Sequence, residues 1–191
     1  MNAPATRRVE LIRHPGTPSA GVVKGIEVEI STAADGALRL RYFVDGDVNR
    51  IVVPPTAPPR ATDGLWRHTC FEAFVAGQGS AAYCEFNFSP STQWAVYGFT
   101  GYRQGMAPLE NVLAPQVATS VTDDRIALEA RVSRATLLGL PGGPSLRLGL
   151  AAVIERSDGG LSHWALAHPG ARPDFHDPTG FVLAIERNVS W

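Results

Sequence analysis

The stretch LWRHTCFEAFV (65–75), followed closely by YCEFNFSPSTQWAVYGFTGYR (83–103), decides the fold of this chain. Successive side chains of a β-strand point to opposite faces, so TCFEAFV separates Glu72 from the apolar side chains next to it. In YCEFNFS the same alternation separates Glu85 and Asn87 from the phenylalanines. Two adjacent strands can therefore share one apolar face and one face that carries carboxyl and amide groups.

The alternation also predicts the state of the two cysteines. Cys70 shares a face with Glu72, whereas Cys84 falls on the apolar face with Phe86. The two sulfur atoms then point to opposite sides of the sheet. We predict two reduced thiols, as is usual in a cytosolic protein.

Short alternating segments separated by turn residues run along the whole chain. The 19 glycines and 15 prolines supply frequent turn signals, and no long helical periodicity is present, which is typical of the all-β class. The predicted strands are 25–32, 37–46, 50–55, 68–76, 82–90, 93–100, 114–122, 125–133, 146–155, 162–168 and 181–187. About 11 strands favour a two-sheet antiparallel β-sandwich, and we expect one domain over residues 1–191.

Two further segments differ from the strand pattern. Ser133 stands in an N-cap-like position in SRATLLGL (133–140), which predicts one short helix before PGGP. The loop PPTAPPRATDG (54–64) has four prolines, which exclude it from a central strand. It leads directly to Trp66, so it either forms a wall of a site or simply crosses between the sheets.

The charge balance excludes some classes of partner. Lys and Arg number 17 against 18 Asp and Glu, for a net charge of −1. Nucleic acids and anionic membranes require a concentrated basic face, so we expect neither. The N-terminal sequence lacks the apolar core of a secretory signal, and no segment approaches the roughly 20 apolar residues of a membrane span. We expect a cytoplasmic protein that is a monomer or a weak homodimer.

Few residues match a catalytic pattern. Glu72 and Glu85 resemble paired carboxylates of acid–base catalysis, but the pattern favours a structural or ligand-contacting polar network neutralised by Arg103. None of the five histidines has the spacing of a zinc site. No serine lies in GxSxG, and no glycine-rich segment matches a phosphate-binding loop. The pattern favours a binding protein over an enzyme.

Aromatic residues at strand ends and turns suggest a different kind of site. They are Trp66, Trp94, Tyr97, Tyr102 and Trp164. Sugar rings stack on Trp and Tyr, while sugar hydroxyl groups need polar partners in fixed positions. Each tryptophan could instead fill the interior of the sandwich.

Three runs, LWRHTCFEAFV, YCEFNFSPSTQWAVYGFTGYRQGM and LGLAAVIERSDGGLSHWALAHPGARPDF, resemble the DOMON-like proteins, which are related to family 9 carbohydrate-binding modules. The resemblance covers roughly residues 25–187. It implies an immunoglobulin-like or jelly-roll sandwich that binds sugars or, in other branches, haem b. The positions matching the sugar-binding motif are Trp66, Glu72, Glu85, Asn87, Trp94 and Arg103, and the corresponding haem ligands are Met106 and His168.

We therefore predict a non-catalytic module that binds a carbohydrate or a sugar-containing metabolite and needs no cofactor or metal. The alternatives are a haem b-binding module and, third, a glycoside hydrolase-like enzyme that uses Glu72 and Glu85. The predicted ligand-binding residues are Trp66, His68, Glu72, Glu85, Asn87, Trp94, Tyr102, Arg103 and Trp164.

Overall fold

The protein is a curled antiparallel β-structure, seen in a computed structural model that describes residues 6–18, 21–109 and 112–186. The strands are β1 Arg7–Arg13, β2 Val23–Thr32, β3 Leu38–Gly46, β4 Cys70–Gly77, β5 Tyr83–Phe88, β6 Trp94–Phe99, β7 Ala107–Pro108, β8 Gln116–Val121, β9 Arg125–Val132, β10 Ser145–Glu155, β11 Leu161–Ala165 and β12 Leu183–Glu186. The helix α1 spans Arg134–Gly139, and 3₁₀ turns span Val48–Arg50, Leu65–Arg67 and Pro178–Gly180.

The strands form two layers that share β1. The front layer has the order β1-β2-β3-β9-β8. The back layer has the order β1-β11-β10-β4-β5-β6-β7, with β12 also paired to β10. Residues 7–11 of β1 pair with β2, and residues 12–13 pair with β11. The chain thus confirms the predicted antiparallel β-sandwich of nearly all-β composition.

The main core lies between the layers and follows the alternation of the strands. Leu40 of β3, Leu128 of β9 and Phe86 of β5 are all fully or almost fully buried in one apolar cluster. Tyr42 of β3 is buried there too, and its hydroxyl donates to the backbone carbonyl of Glu72 at 2.9 Å. This bond links the two layers directly beneath the polar face of β4.

A second apolar cluster lies on the outer face of the back layer. Residues 166–182, called here the covering segment, pass over this face. Phe181 of the covering segment stacks on Phe74 of β4 with ring centroids 5.8 Å apart. Tyr83 and Phe99 stack beside them at 4.6 Å. Side chains that point away from the core are therefore buried as well, which explains why every residue of β4 and β5 is buried.

Most predicted elements are present, with some differences. The helix is confirmed, and Ser133 Oγ caps it by accepting from the Thr136 backbone N–H at 3.1 Å. The predicted strand 50–55 is wrong, because the chain there forms a 3₁₀ turn and only an isolated bridge from Ile51 to Arg156. The strands β1 and β7 were not predicted. Position 187, the end of the last predicted strand, lies outside the described residues.

Both cysteines are buried free thiols, as predicted. Cys70 is on the outer face of the back layer and Cys84 is in the main core. Burial raises the pKa of Cys84 to about 12. Within the described ranges, no helix has both the length and the apolar character needed to span a bilayer.

Candidate functional site

A cavity of about 330 Å³ opens on the outer face of the back layer, between the strands and the covering segment. Its lining combines aromatic rings with carboxyl, imidazole and guanidinium groups. The lining residues are Trp66, Glu72, Glu85, Phe99, Arg103, Met106, Val153, His163, Pro173, Phe175 and His176. This volume is at the low end of the range for small-molecule sites.

The floor of the cavity is the polar face predicted from strand alternation. Glu72 pairs in register with Asn87 on the neighbouring strand. Asn87 donates its side-chain amide to Glu85 Oε1 at 2.7 Å, and Cys70 Sγ approaches Asn87 Oδ1 at 3.5 Å. Asn87 is fully buried and lies outside the described cavity lining, where its hydrogen bond holds Glu85 in position.

The surroundings of Glu72 and Glu85 favour the protonated form of both carboxyl groups. Burial, and secondarily the charge of Glu85, raises the pKa of Glu72 well above its ordinary value. Burial also raises the pKa of Glu85, although the Asn87 hydrogen bond and the charge of Arg103 oppose that increase. Arg103, the predicted neutralising cation, therefore acts on Glu85 through the field of its charge.

Two polar atoms of the lining residues have no partner. Glu72 is 3% exposed, and its Oε1 atom makes no hydrogen bond within the described part of the chain. The same is true of Nδ1 of His163. Buried polar atoms are normally hydrogen-bonded, and each exception costs about 1–3 kcal/mol. Two such atoms beside one cavity indicate a place where a ligand can supply the missing bonds.

The covering segment contributes His176 to the wall. Its Nδ1 lies 2.9 Å from the Tyr83 hydroxyl, and its Nε2 lies 3.7 Å from Glu85 Oε2. Burial and the nearby Arg103 lower the pKa of His176 to about 4, so the ring is neutral at pH 7. The arrangement that satisfies a neutral ring has Tyr83 donating to Nδ1, which leaves the Nε2–H facing Glu85.

The rim is fixed by contacts between the turn after β6 and the covering segment. Arg103 donates to Asp174 at 2.8 Å, and the Tyr102 hydroxyl donates to the same carboxylate. The Arg103 backbone N–H also donates to the Tyr83 hydroxyl at 3.2 Å. Arg103 has a positive φ of 53°, which is uncommon outside glycine and is typical of a tightly constrained turn. Tyr102 is thus a rim residue, outside the cavity lining.

Trp66 enters the wall from the proline-rich loop. Gly64 has a left-handed φ of 76° and starts the 3₁₀ turn that carries Trp66. The Trp66 ring packs edge-to-face on Tyr97 with centroids 5.6 Å apart. No residue of the loop 54–64 is itself in the described lining, and the loop leads into the turn that carries Trp66.

Besides Asn87 and Tyr102, three more of the predicted ligand-binding residues lie away from the cavity lining. His68 is on the surface and contacts Glu155 Oε2 at 2.8 Å. Trp94 packs against the main core, on the inner side of the back layer. Trp164 is buried in that core and donates its Nε1–H to Ser162 Oγ at 3.0 Å. For both tryptophans the core reading matches the structure, because their strand positions place them on the apolar face.

Of the two residues named for haem, only Met106 is in the described cavity lining. Met106 is half exposed and lines the cavity. His168 is outside the lining, and its Nε2 contacts the Ile12 carbonyl at 2.7 Å. No group of three or more His, Cys, Asp or Glu side chains suited to a metal ion occurs among the described residues.

The remaining lining residues were not predicted. Val153 and His163 are paired with each other on β10 and β11. Val153 also pairs with Cys70 of β4. With that register known, the same alternation would have predicted both Val153 and His163 on the polar face. Phe175 and His176 lie in the irregular covering segment, where no periodic pattern indicates which face a side chain meets.

The structure is thus a β-sandwich with a cavity of about 330 Å³ on one outer face. No protein-family model and no curated protein matches the sequence. Among solved structures, the chain is similar to a protein from Bacteroides uniformis described as a "putative carbohydrate-binding protein". That match has a TM-score of 0.65 and 13% identity, over 93% of this chain and 84% of the other.

Two further similarities are to a family 9 carbohydrate-binding module from Caldicellulosiruptor kristjanssonii. The complex with cellotriose gives a TM-score of 0.49 at 12% identity, over 84% of this chain and 72% of the module. The complex with glucose gives 0.48 at 14% identity, over 85% and 75%. At 13% identity, the similarity to the Bacteroides protein concerns the fold alone.

Proposed function

We propose that the protein is a non-catalytic module that binds a small carbohydrate or a sugar-containing metabolite in the cavity beside Glu72. The observation that carries the proposal is the pairing of an aromatic wall with unpartnered polar atoms on a buried floor. Trp66 and the neighbouring rings offer flat apolar surfaces, and Glu72 and His163 offer free hydrogen-bonding atoms. Sugars present both kinds of surface at once.

The similar fold of the Bacteroides protein supports this proposal by analogy. A fold alone does not determine function, so the chemistry of the cavity carries more weight. The size of the cavity favours a ligand of about one or two sugar rings over a long polysaccharide.

The proposal predicts that Trp66→Ala weakens sugar binding at least ten-fold, because the ring that stacks on the sugar is removed. Ten-fold corresponds to about 1.4 kcal/mol, within the range of one aromatic contact and its buried area. Binding is measured by isothermal titration calorimetry, after a thermal-shift screen with glucose, galactose, cellobiose, N-acetylglucosamine and glucosamine. A ligand at 100 times its dissociation constant adds about 2.7 kcal/mol to stability.

The matched control is Trp94→Phe, which changes a tryptophan that packs against the core and not the cavity. It should retain the wild-type affinity. Equal losses in the two variants, or no binding of any sugar by the wild type, would contradict the proposal. Release of nitrophenol from nitrophenyl glycosides that disappears in Glu85→Gln would show instead that the site is catalytic.

A further inference from the structure

The charges around the cavity are unequal. Two carboxyl groups, Glu72 and Glu85, form its floor, and Arg103 is the only Lys or Arg among the described residues of its lining. The guanidinium of Arg103 is already engaged, because it donates to Asp174 at the rim. His176 is neutral at pH 7, since its pKa is lowered to about 4. No cation in the described lining is therefore available to pair with Glu72.

The position of Glu72 makes this imbalance informative. Its Oε1 is buried without a partner, and Asn87 donates to Glu85 but not to Glu72. A carboxylate in such a place is stabilised most strongly by an opposite charge, because a charge-assisted hydrogen bond is roughly twice as strong as a neutral one. The rings of Trp66, Phe99 and Phe175 also line the cavity, and aromatic faces attract cations.

We infer that the ligand of this cavity is an amino sugar, whose protonated amino group binds between Glu72 and Glu85 while its ring contacts the aromatic wall. This inference rests on the proposed function and specifies its ligand class. A neutral sugar can donate a hydroxyl hydrogen to Glu72, but it brings no positive charge that would stabilise the ionised form of the carboxyl group. An ammonium group supplies three N–H donors and the missing positive charge.

Binding of an amino sugar should be coupled to the release of the proton held by Glu72. Ionisable groups that surround the floor carboxyls on the neighbouring elements are Tyr42, Cys70, Tyr83, Tyr97, Arg103, His163, Asp174 and His176. Burial raises the pKa of Glu72, so the empty site holds a proton there over a wider pH range than an exposed glutamate would. The incoming ammonium group favours the ionised carboxylate, and the proton leaves to solvent.

The test compares glucosamine with glucose and N-acetylglucosamine, which share the ring but carry no positive charge. At pH 6 the wild type should bind glucosamine at least ten-fold more tightly than either neutral sugar. Calorimetry in two buffers with different ionisation enthalpies should show proton release with glucosamine and none with glucose. The glucosamine affinity should rise with pH until the amine itself loses its proton.

Glu72→Gln removes the negative charge and keeps the shape, so it should abolish both the ten-fold preference and the proton release. Glu27→Gln, the same change on β2 outside the cavity, should retain both. Equal affinities for the three sugars in the wild type would overturn the amino-sugar inference and leave the proposed sugar-binding function in place. Failure of all three sugars to bind would overturn both.

Discussion

Glu72 is the residue at which folding and binding make opposite demands. The alternation that sends Phe71 into the core sends Glu72 to the outer face of the same strand, where the covering segment encloses it. A buried carboxyl without a partner destabilises the folded protein, by about 1–3 kcal/mol for groups of this kind. A binding site retains such a destabilising group when the ligand supplies its missing hydrogen bond.

The pH dependence of stability should reveal this cost. Burial raises the folded-state pKa of Glu72 above its unfolded value, which is about 4.3. The contribution of Glu72 to the free energy of unfolding is therefore fully present below the unfolded pKa, and it is lost as the pH rises through the folded pKa. We expect Glu72→Gln to gain about 1–3 kcal/mol over the wild type at pH 8 and little or nothing at pH 4. Urea unfolding at the two pH values measures the difference.

The pKa of His176 is shifted in the opposite direction to that of Glu72, so its contribution to stability has the opposite pH dependence. His176 is present in both the wild type and the Glu72→Gln variant. Its folded pKa of about 4 lies below the ordinary value of 6.5, so its contribution is lost as the pH falls through that interval. Comparing variant with wild type at each pH removes this background. Glu27→Gln serves as the control, because Glu27 lies near Arg8 at 3.8 Å on the surface. A Glu72→Gln gain that is equal at both pH values would show that Glu72 does not titrate as described.

The predictability of the site differs from residue to residue. Glu72, Glu85 and Asn87 were placed correctly on one face because the period of a strand is fixed by its backbone geometry. Trp94 and Trp164 were proposed as aromatic residues near strand ends, and Trp94 also from the resemblance. Their strand positions turn both side chains to the core.

Among the strands, β10 contacts both the floor of the cavity and the covering segment. It pairs with β4 and β11, and Gly149 in its middle lies directly under Phe181 of the covering segment. A Cβ atom at Gly149 would lie 2.6 Å from Phe181 Cδ1, which no real contact allows. The absence of a side chain at this position therefore lets the covering segment approach the sheet.

Gly149→Ala should cost about 1–3 kcal/mol, the usual effect of overpacking, and should loosen the covering segment. Urea unfolding measures the first effect, and hydrogen exchange of residues 174–181 measures the second. Gly25→Ala in β2 is the matched control, because nothing lies within 4 Å of its Cβ position. It should change stability by less than about 0.5 kcal/mol. Identical behaviour of the two variants would mean that Phe181 does not hold the cover in place.

The elements that were predicted correctly have a regular alternation of apolar and polar residues. The elements that were missed or wrongly predicted depend on other features. Long alternating strands such as β3 and β9 bury one face, so their pattern is readable in the sequence. The segment 50–55 has a similar apolar pattern, but Pro54 and Pro55 cannot donate ladder hydrogen bonds, and only Ile51 forms a bridge. The covering segment has no period at all, and its path depends on contacts with distant strands.

For the whole molecule, β1 is the strand that makes two sheets into one structure. Its first residues pair with β2 of the front layer, and Ile12 and Arg13 pair with β11 of the back layer. The Tyr42 hydroxyl adds a second link through the core to Glu72. With β1 shared in this way, neither layer has an independent edge at that position, so we expect the layers to unfold together as one domain.

Leu11→Ala tests this expectation at the shared strand. Leu11 is 4% exposed and belongs to the main core, so the truncation should lower the free energy of unfolding by about 2–5 kcal/mol. Its neighbour Ile12 is 59% exposed, and Ile12→Ala should cost much less. The tryptophans that the structure describes, Trp66, Trp94 and Trp164, lie in or beside the back layer, so their fluorescence reports on that layer, whereas far-UV circular dichroism reports on both layers. The two signals should give coincident urea transitions in the wild type and in both variants, because the core is continuous. Separate transitions, or a Leu11→Ala loss seen by only one probe, would show that the two layers are separate folding units.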